Sequence, residues 1–356
     1  MRAKLLFLWF MITPGTAIAQ GHRVPVIPDI PGYKTLLCDF RLKTVFSDGY
    51  VWPTVRVDEA LREGLDAIAI TDHLDHMPYK DDIRANPNRS FEIASDYASG
   101  KNIIVIPGTE ITNTMPPGDV CALFIKDASL IKNSDYRASI EEAAGQGAFI
   151  MWSHPGWEGP DTIRWRDEYT FLYEQGWLHG LEVINHGEYY PQTVDWAIEK
   201  DLTLTGSSNK RAPFLYKAFS PEDHRPMTLV FATEKSIGGI RDALFNGRTA
   251  AYNGYDLIGR DALLKALFLQ SLSISGTVTS NESLQFVNTT DFSFNIVLEE
   301  TIYQDWKMEA TINPGHEITI LLPHDADPAF VKVKVKNLIT GTDTCLELFL
   351  SEFKAR

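Results

Sequence analysis

Short apolar runs and amphipathic segments alternate along the first three quarters of the chain. Runs of strand length occur at 36–38, 67–70, 103–106, 148–152, 181–184, 202–205 and 227–231. Segments with apolar residues at helical spacing lie between them, at 57–61, 93–98, 140–144, 171–172, 194–198 and 240–244. Continuous apolarity marks strands that are buried on both faces, and strand–helix alternation is typical of a parallel sheet. The pattern therefore predicts a parallel α/β sheet, either open or closed.

Polar residues follow the predicted strands directly. The first strand runs into "DFRLK" (39–43), and later strands are followed by "TDH" (71–73), "GTE" (108–110), "SHPGW" (153–157), "NHGEYY" (185–190) and "SSNK" (207–210). A barrel brings the carboxyl ends of its parallel strands to one mouth, whereas an open sheet scatters them. The grouping of polar residues at these ends therefore favours a barrel.

The sequence pattern changes past residue 270. Stretches such as "LSISGTVTSNESLQFVNTTDFSFNIVLEE" alternate with a period of two and are rich in Thr, Val and Ile. Such alternation, broken by turn clusters, is typical of antiparallel strands with one buried face. We therefore expect a small β-sandwich at 269–356 after a barrel domain at 36–268. His316 and His324 of the sandwich are expected to be surface residues.

The first residues have the features of a bacterial export signal. Arg2 and Lys4 precede an apolar stretch from Leu5 to Ile12, and Ala17-Ile18-Ala19 forms a small-residue cleavage site. The apolar stretch is too short for a membrane span. The prediction is a signal peptide at 1–19, an extended Pro-containing arm at 20–35, and an exported, soluble protein of the periplasm or the extracellular space.

Charge and cysteine content narrow the classes of partner. The chain has a formal net charge of −14, and loss of the two signal-peptide cations brings it to −16. A charge of this sign repels nucleic acids and anionic membrane surfaces, so neither is an expected partner. Cys38, Cys121 and Cys345 are odd in number and far apart, which indicates buried thiols more than a disulfide framework.

Residues of metal-ligand type lie at the ends of four different predicted strands. They are His73, Glu110, His154 and His186, and Asp48 lies in the loop after the first strand. Any one of these histidines is more often a core or cap residue, but four such residues at equivalent strand ends favour a site. Imidazoles with carboxylates suit zinc, manganese or iron and an activated water.

Several motifs, in this order, resemble the PHP (polymerase and histidinol phosphatase) superfamily. They are "TVFSDG", "GLDAIAITDH", "PGTEIT", "SHPGW", "GLEVIN" and "HRPMTLVFA", followed by "GIRDALFNGRT". The stretch "VFSDGYVWPTVRVDEALREGLDAIAITDH" is most similar to exported bacterial phosphodiesterases of the Sb-PDE type. The resemblance implies a distorted (β/α)7 barrel. It also implies a di- or trinuclear metal site that hydrolyses phosphate mono- or diesters through metal-bound hydroxide.

Two motifs depart from the family pattern. The first family motif is Asp-x-His-x-His-Thr, and Arg41 and Lys43 replace its two histidines. The last is Ser-Asp-x-His, and the chain has Ser207-Ser208-Asn209-Lys210 there. Four expected ligands are therefore missing. By resemblance, Glu110 bridges two metals, and His154 and His186 remain as ligands. His73, with Asp48 or Asp72, would supply the remaining ligands of the third metal.

Three of the four replacements are cations, and we expect Arg41, Lys43 and Lys210 to stand in for the lost metal charge. Arg41 and Lys43 share a strand face as residues i and i+2, although one or both could turn outward as solvated side chains. The favoured interpretation is impaired or lost hydrolysis, with these three cations lining a mouth that binds a small phosphate ester or another anion.

An alternative interpretation keeps a divalent metal, zinc or manganese, at reduced stoichiometry on Glu110, His154 and His186. Lys43 and Lys210 would then act as catalytic cations, with Arg41, on the phosphoryl oxygens. His76 could add a ligand or cap the next segment. A third interpretation, a module that acts through its sandwich, gains weight if Arg41 blocks the mouth. The sequence leaves the oligomeric state open.

Overall fold

The computed structural model describes residues 25–114, 118–131, 135–159, 163–214, 225–275, 283–301, 306–322 and 327–353. The predicted signal peptide, the first part of the predicted arm and His324 lie outside these ranges. Within them, no helix has the length and apolar character needed to cross a membrane.

The strands of the first part of the chain are β1 (Lys34–Leu42), β2 (Ala67–Ile70), β3 (Ile104–Ile111), β4 (Val120–Leu123), β5 (Phe149–Trp152), β6 (Gly180–Asn185), β7 (Glu188–Tyr189), β8 (Thr203–Ser207), β9 (Met227–Ala232), β10 (Thr249–Tyr252) and β11 (Leu257–Gly259). The helices are α1 (Pro53–Arg62), α2 (Arg89–Ala98), α3 (Tyr136–Gly145), α4 (Asp167–Glu174), α5 (Pro191–Glu199), α6 (Ile237–Phe245) and α7 (Asp261–Ser271).

The strands form a distorted barrel, as the sequence predicts. β1, β2 and β3 run parallel, and so do β5, β6 and β8. The tip of β8 returns to β1, where Leu42 pairs with Lys210 and the Lys43 N–H donates to the Lys210 carbonyl at 3.1 Å. This bridge brings the polar ends of the first and last parallel strands together.

Two strands differ from the predicted parallel pattern. β4 runs antiparallel between β3 and β5, and its short apolar run follows β3 too closely in the chain to stand out as a separate strand. β9, the seventh predicted strand, pairs antiparallel with β1 and not parallel to it. Strand direction depends on which neighbour a strand meets in the fold, and hydrophobic periodicity does not encode it.

Local sequence explains why the helices begin where they do and which face they bury. Pro53 begins α1, where its missing N–H costs no hydrogen bond, and Val57 and Ala60 of the same helix are fully buried. The Ser236 side chain accepts from the Gly239 N–H at 2.9 Å and caps α6. The strands between the helices are buried on both faces, which places the core on both sides of the barrel wall.

The C-terminal strands form two antiparallel sheets, which fits the predicted β-sandwich. They are β12 (Leu272–Ser275), β13 (Ser283–Asn288), β14 (Phe294–Glu300), β15 (Lys307–Ile312), β16 (Glu317–Leu321), β17 (Val331–Gly341) and β18 (Thr344–Phe349). One sheet has the order β12-β13-β16, and the other contains β15-β14-β17-β18. The second sheet continues into the barrel sheet, because β11 pairs parallel with β17. The predicted boundary at 268/269 falls inside α7.

Candidate functional site at the barrel mouth

A buried ion cluster lies at the carboxyl ends of β1 and β3 and against the middle of β6. Arg41 Nη2 donates to the two carboxylate oxygens of Glu110 at 2.7 and 2.8 Å, and Arg41 Nε donates to Oε2 at 3.1 Å. Arg41 Nη1 donates to Oε2 of Glu182 at 3.1 Å. The Arg41 side chain has an exposure of 0%. One guanidinium therefore joins two carboxylates from different strands.

Lys43, two residues after Arg41 in the chain, contacts the same carboxylate. Its ammonium donates to Oε2 of Glu110 and to the Thr71 carbonyl, and its side chain has an exposure of 0%. Arg41 and Lys43 thus point to one acid, as their i, i+2 spacing on one strand predicts. Neither turns outward as a solvated side chain.

The protonation states within the cluster follow from these contacts. Burial by itself raises the pKa of Glu110, but the charges of Arg41 and Lys43 outweigh burial and hold this pKa well below its usual range. Burial by itself lowers the pKa of Arg41, and Glu110 and Glu182 reverse that effect and raise this pKa. The cluster therefore contains ionised groups that compensate one another inside the protein.

Glu182 is a member of this cluster that the sequence reasoning missed. Besides Arg41, its carboxylate accepts from the His154 N–H at 2.7 Å, from Asn185 Nδ2 at 2.8 Å and from the Ser207 hydroxyl. Its side chain is fully buried. The available signal was an acid inside the apolar strand "GLEVIN", because a buried charge needs compensating partners.

The position of the missing aspartate ligand, Ser208, holds a hydrogen-bond donor. The Ser208 hydroxyl donates to Oδ2 of Asp39 at 2.5 Å, and its backbone N–H donates to Oδ1 at 3.2 Å. Arg225 Nη1 donates to the same Oδ2 at 3.1 Å. Burial raises the pKa of Asp39 in spite of Arg225. Asp39, which matches the aspartate of the first family motif, is thus hydrogen-bonded to Ser208 and Arg225.

Among the described residues, the metal-ligand side chains whose ligand atoms lie within 4.8 Å of one another are Glu110, Asp119 and His154. His154 Nε2 lies 3.3 Å from Asp119 Oδ2 and 3.6 Å from Glu110 Oε1. Burial and Arg41 lower the pKa of His154, but its contacts with Asp119 and Glu110 outweigh them and raise it. The sequence reasoning missed Asp119, which precedes the unpredicted strand β4.

Within the described ranges, the group of metal-ligand side chains does not include His186. The His186 side chain is exposed, and its backbone adopts a φ of +58°. The ammonium of Lys210 lies over the Phe214 ring, 4.9 Å from the centroid. In the described part of the chain, the ligand atoms of Glu110 and His154 are grouped with Asp119, and the side-chain cations in contact with Glu110 are Arg41 and Lys43.

His73, which forms a parallel β-bridge with Glu110, is also a neighbour of Asp48. His73 Nε2 lies 3.7 Å from Asp48 Oδ1, and His73 Nδ1 lies 2.5 Å from Thr112 Oγ1. Burial first, and Lys43 second, lower the pKa of His73 to about 3. Asp48 also pairs with Arg211, which helps to lower its pKa against the opposing effect of burial.

Asp72 holds the loop after β1. Its carboxylate accepts from the Thr44 N–H at 2.7 Å, from the Thr44 hydroxyl at 2.6 Å and from the Ser47 hydroxyl at 2.6 Å. These three bonds use the carboxylate to orient the turn "TVFSDG". The contacts give Asp72 a structural role at this end of the barrel.

Two cavities open beside the ion cluster, on either side of Trp157. One has a volume of about 220 Å³, and Tyr50, Trp157, His186, Asn209, Lys210 and Arg211 are among its lining residues. The other has a volume of about 270 Å³ and includes Thr112, Asp119, His154, Trp157 and Glu158. Arg41 and Lys43 line neither cavity and are fully buried, so the structure does not present them to a ligand as the sequence interpretation expected.

A distorted α/β barrel with acids and imidazoles at its strand ends, followed by a β-sandwich, defines a class of two-domain barrel proteins. A solved structure from Bacteroides vulgatus ATCC 8482, a two-domain protein containing a predicted PHP-like metal-dependent phosphoesterase, superposes with a TM-score of 0.85 and 39% sequence identity. The match covers 93% of this chain and 99% of that one. The chain therefore belongs to the PHP-like phosphoesterase family.

More distant solved structures match parts of the chain. A protein described as a metal-dependent phosphoesterase from Bifidobacterium adolescentis ATCC 15703 has 18% identity and a TM-score of 0.39 over 51% of this chain and 90% of its own. PsfC from Pseudomonas syringae PB-5123 has 15% identity and a TM-score of 0.45 over 61% and 91%. No protein-family model and no curated protein matches the sequence.

Proposed function

We propose that this protein is a PHP-like phosphoesterase homologue in which metal-dependent hydrolysis is impaired or lost and the mouth binds a small phosphate ester or another anion. The observation that supports this proposal is the direct contact of Arg41 and Lys43 with Glu110. Two fixed positive charges therefore contact the carboxylate that, by family resemblance, would bridge two metal ions.

The residues around Glu110 do not fit a multinuclear metal centre. Both oxygens of Glu110 accept hydrogen bonds from Arg41, and Oε2 also accepts one from Lys43. A divalent ion on this carboxylate would lie close to both cations. Repulsion between two unit charges 4 Å apart is on the order of 4 kcal/mol at an effective dielectric constant of about 20, and a divalent ion doubles it. Glu182 would do little to offset this repulsion, because its carboxylate already accepts hydrogen bonds from four donors.

Loss of the metals would remove the usual way of activating water. A metal ion lowers the pKa of bound water from about 15.7 to about 7, and none of the cations at Glu110 can do this. Arg41 and Lys43 also direct their donors at protein carboxylates and away from solvent. We therefore expect slow hydrolysis of phosphate esters, or none.

The 220 Å³ cavity is the better candidate for ligand binding. Lys210, Arg211 and His186 contribute basic side chains to it, and Tyr50 and Trp157 contribute exposed aromatic rings. Charge-assisted hydrogen bonds from lysine and arginine suit phosphate oxygens, and apolar walls suit an organic substituent. A small phosphate ester has both features.

Thermal unfolding with phosphate ligands tests the binding part of this proposal. Inorganic phosphate and phenyl phosphate should raise the melting temperature in a concentration-dependent way, while chloride at equal ionic strength should not. Lys210→Ala should weaken phosphate binding about tenfold, or roughly 1.4 kcal/mol. Lys307→Ala, which removes an exposed lysine of the sandwich, is the matched control. Equal binding by Lys210→Ala and the wild type would contradict the assigned cavity.

Elemental analysis and an activity assay test the catalytic part. We expect the purified protein to contain no stoichiometric zinc or manganese and to hydrolyse neither an aryl phosphomonoester nor an aryl phosphodiester when these ions are added. Chelator-sensitive turnover by the wild type would overturn this part of the proposal and leave the binding part standing.

A second candidate function is an active phosphodiesterase that uses one or two remaining metals. The specific observation in its favour is the group Glu110, Asp119 and His154, in which Asp119 takes the place that the sequence interpretation gave to His186. Three nitrogen and oxygen ligands are the usual protein contribution to a catalytic zinc site. Bound zinc that Asp119→Asn removes, together with loss of turnover, would establish this alternative.

Export from a bacterial cell is part of the proposed function as well. It is based on residues 1–19, outside the described ranges, and on the resemblance to exported phosphodiesterases. Fractionation of the producing cells and N-terminal sequencing of the mature protein test it. Recovery of full-length protein from the cytoplasm would contradict it.

A further inference from the structure

The buried cluster is balanced in charge. Arg41 and Lys43 contribute two positive charges, and Glu110 and Glu182 contribute two negative charges, all from side chains that are at most 1% exposed. One divalent ion would supply the same positive charge. Because uncompensated charge is strongly unfavourable in a protein interior, these carboxylates can be neutralised by the two side chains or by an ion, but not by both.

The hydrogen bonds lead to the same conclusion. A carboxylate offers about four lone-pair directions. Arg41 and Lys43 together direct four contacts at Glu110, three of them at Oε2. Coordination of a metal ion through Oε2 would require at least one of these donors to leave, and an ion on Oε1 would lie beside Arg41 Nη2, which is 2.7 Å from that oxygen.

The two side chains are long enough to reach Glu110 without an intervening ion. Arg41 and Lys43 reach Glu110 directly from one face of β1 and its end, with donor–acceptor contacts as short as 2.7 Å for Arg41. An imidazole is shorter than either arm and would stop before Glu110. Zinc–nitrogen and zinc–oxygen bonds are each about 2 Å long, so a zinc ion would span the remaining distance between the imidazole and the Glu110 carboxylate.

We propose that Arg41 and Lys43 are the determinants that exclude a divalent ion from this site, and that their joint replacement by histidine makes the site bind zinc. The inference rests on the proposed function, because it explains why the metal-dependent reaction would be lost. It assigns the loss to two side chains of one strand end, while the ligand group Glu110, Asp119 and His154 stays in place.

The test compares the wild type with Arg41→His/Lys43→His and with Arg41→Gln/Lys43→Gln. Zinc binding is measured by calorimetric titration and by metal content after dialysis, and the melting temperature is measured with zinc and with a chelator. The histidine variant should bind zinc at least tenfold more tightly than the glutamine variant and should melt higher with zinc than with chelator. The wild type should show neither effect.

The glutamine variant removes the same two charges and adds no imidazole, so it separates charge removal from ligand supply. If the folded histidine variant binds zinc no more tightly than the glutamine variant, the proposal is wrong. If the histidine variant unfolds without metal, refolding in zinc and in chelator replaces the titration. Recovery that is greater in zinc supports the proposal, and recovery in zinc that is no greater than recovery in chelator overturns it.

The outcomes also distinguish this inference from the proposed function. Stoichiometric zinc with chelator-sensitive turnover in the wild type would remove both. A wild type without zinc and a folded histidine variant without zinc would leave the proposed function standing and remove only the role assigned to Arg41 and Lys43.

Discussion

The backbone N–H of His154 donates a 2.7 Å hydrogen bond to Oε2 of Glu182, the oxygen that also accepts from Arg41. His154 has a φ of +33°, a conformation that is strained for a residue other than glycine. Glu182 therefore holds the strained end of β5 and links it to the ion cluster. The position of His154 depends on a charge that lies 28 residues further along the chain.

Glu182→Gln should destabilise the protein by about 2–4 kcal/mol. The amide removes one negative charge that compensates Arg41. It also directs an NH2 group at donors whose hydrogen bonds the carboxylate accepts. Urea unfolding measures the loss. Glu168→Gln is the control, because Glu168 pairs with an exposed Arg137 and its loss should cost less than about 1 kcal/mol. Equal losses in the two variants would contradict the importance of the buried contact.

Gly49→Ala should destabilise the loop after β1 by roughly 2 kcal/mol or more. A Cβ at Gly49 would lie 2.5 Å from the Lys43 carbonyl carbon and the Thr44 nitrogen, which are backbone atoms that cannot move aside cheaply. Chemical denaturation measures the change.

Gly145→Ala provides the matched control for Gly49. A Cβ at this helical position meets no atom within 4 Å, so alanine should be neutral or should stabilise α3 by up to about 1 kcal/mol. A milder effect at Gly49 than at Gly145 would show that the loop adjusts freely.

His179 should make stability fall as the pH drops below about 6.5. Burial and Arg241 lower the pKa of His179 to about 4 in the folded protein, compared with 6.5 for the free side chain. Between these values the unfolded chain binds a proton that the folded chain does not, so the stabilisation is complete above pH 6.5 and is lost as the pH falls toward 4. The full effect is about 3 kcal/mol.

Urea unfolding at a series of pH values measures this dependence. His179→Gln should reduce the change in unfolding free energy between pH 6.5 and 4 by about 3 kcal/mol and leave the part due to His73, whose pKa is also lowered, while His316→Gln, a substitution at an exposed residue of the sandwich, should leave the whole change in place. A slope in His179→Gln equal to that of the wild type would assign the dependence to other groups.

The barrel and the sandwich should unfold in one calorimetric transition. Leu257 and Ile258 of β11 pair with Leu338 and Ile339 of β17, so one sheet continues through both parts. The Thr342 N–H also donates to Asp195 of α5 at 2.9 Å. Asp195→Ala should lower the melting temperature by roughly 2 °C without splitting the transition. Asp343→Ala in the same hairpin serves as the control, and two resolved wild-type transitions would refute the expectation.

The sequence by itself determined the architecture and the family. Strands buried on both faces require continuous apolar runs, so the barrel strands were visible as short segments between amphipathic helices. The shared direction of Arg41 and Lys43 was also predictable, because alternate residues of a strand face the same side. Residues close together in the chain encode these properties.

Only the tertiary structure decided which groups meet. Arg41 binds Glu182, 141 residues away, and Asp119 joins Glu110 and His154 while His186 and Lys210 do not. The antiparallel directions of β4 and β9 were likewise hidden. Contacts between distant strand ends depend on strand direction and on the backbone conformation of single residues, such as the positive φ of His186, and neither leaves a periodic trace in the sequence.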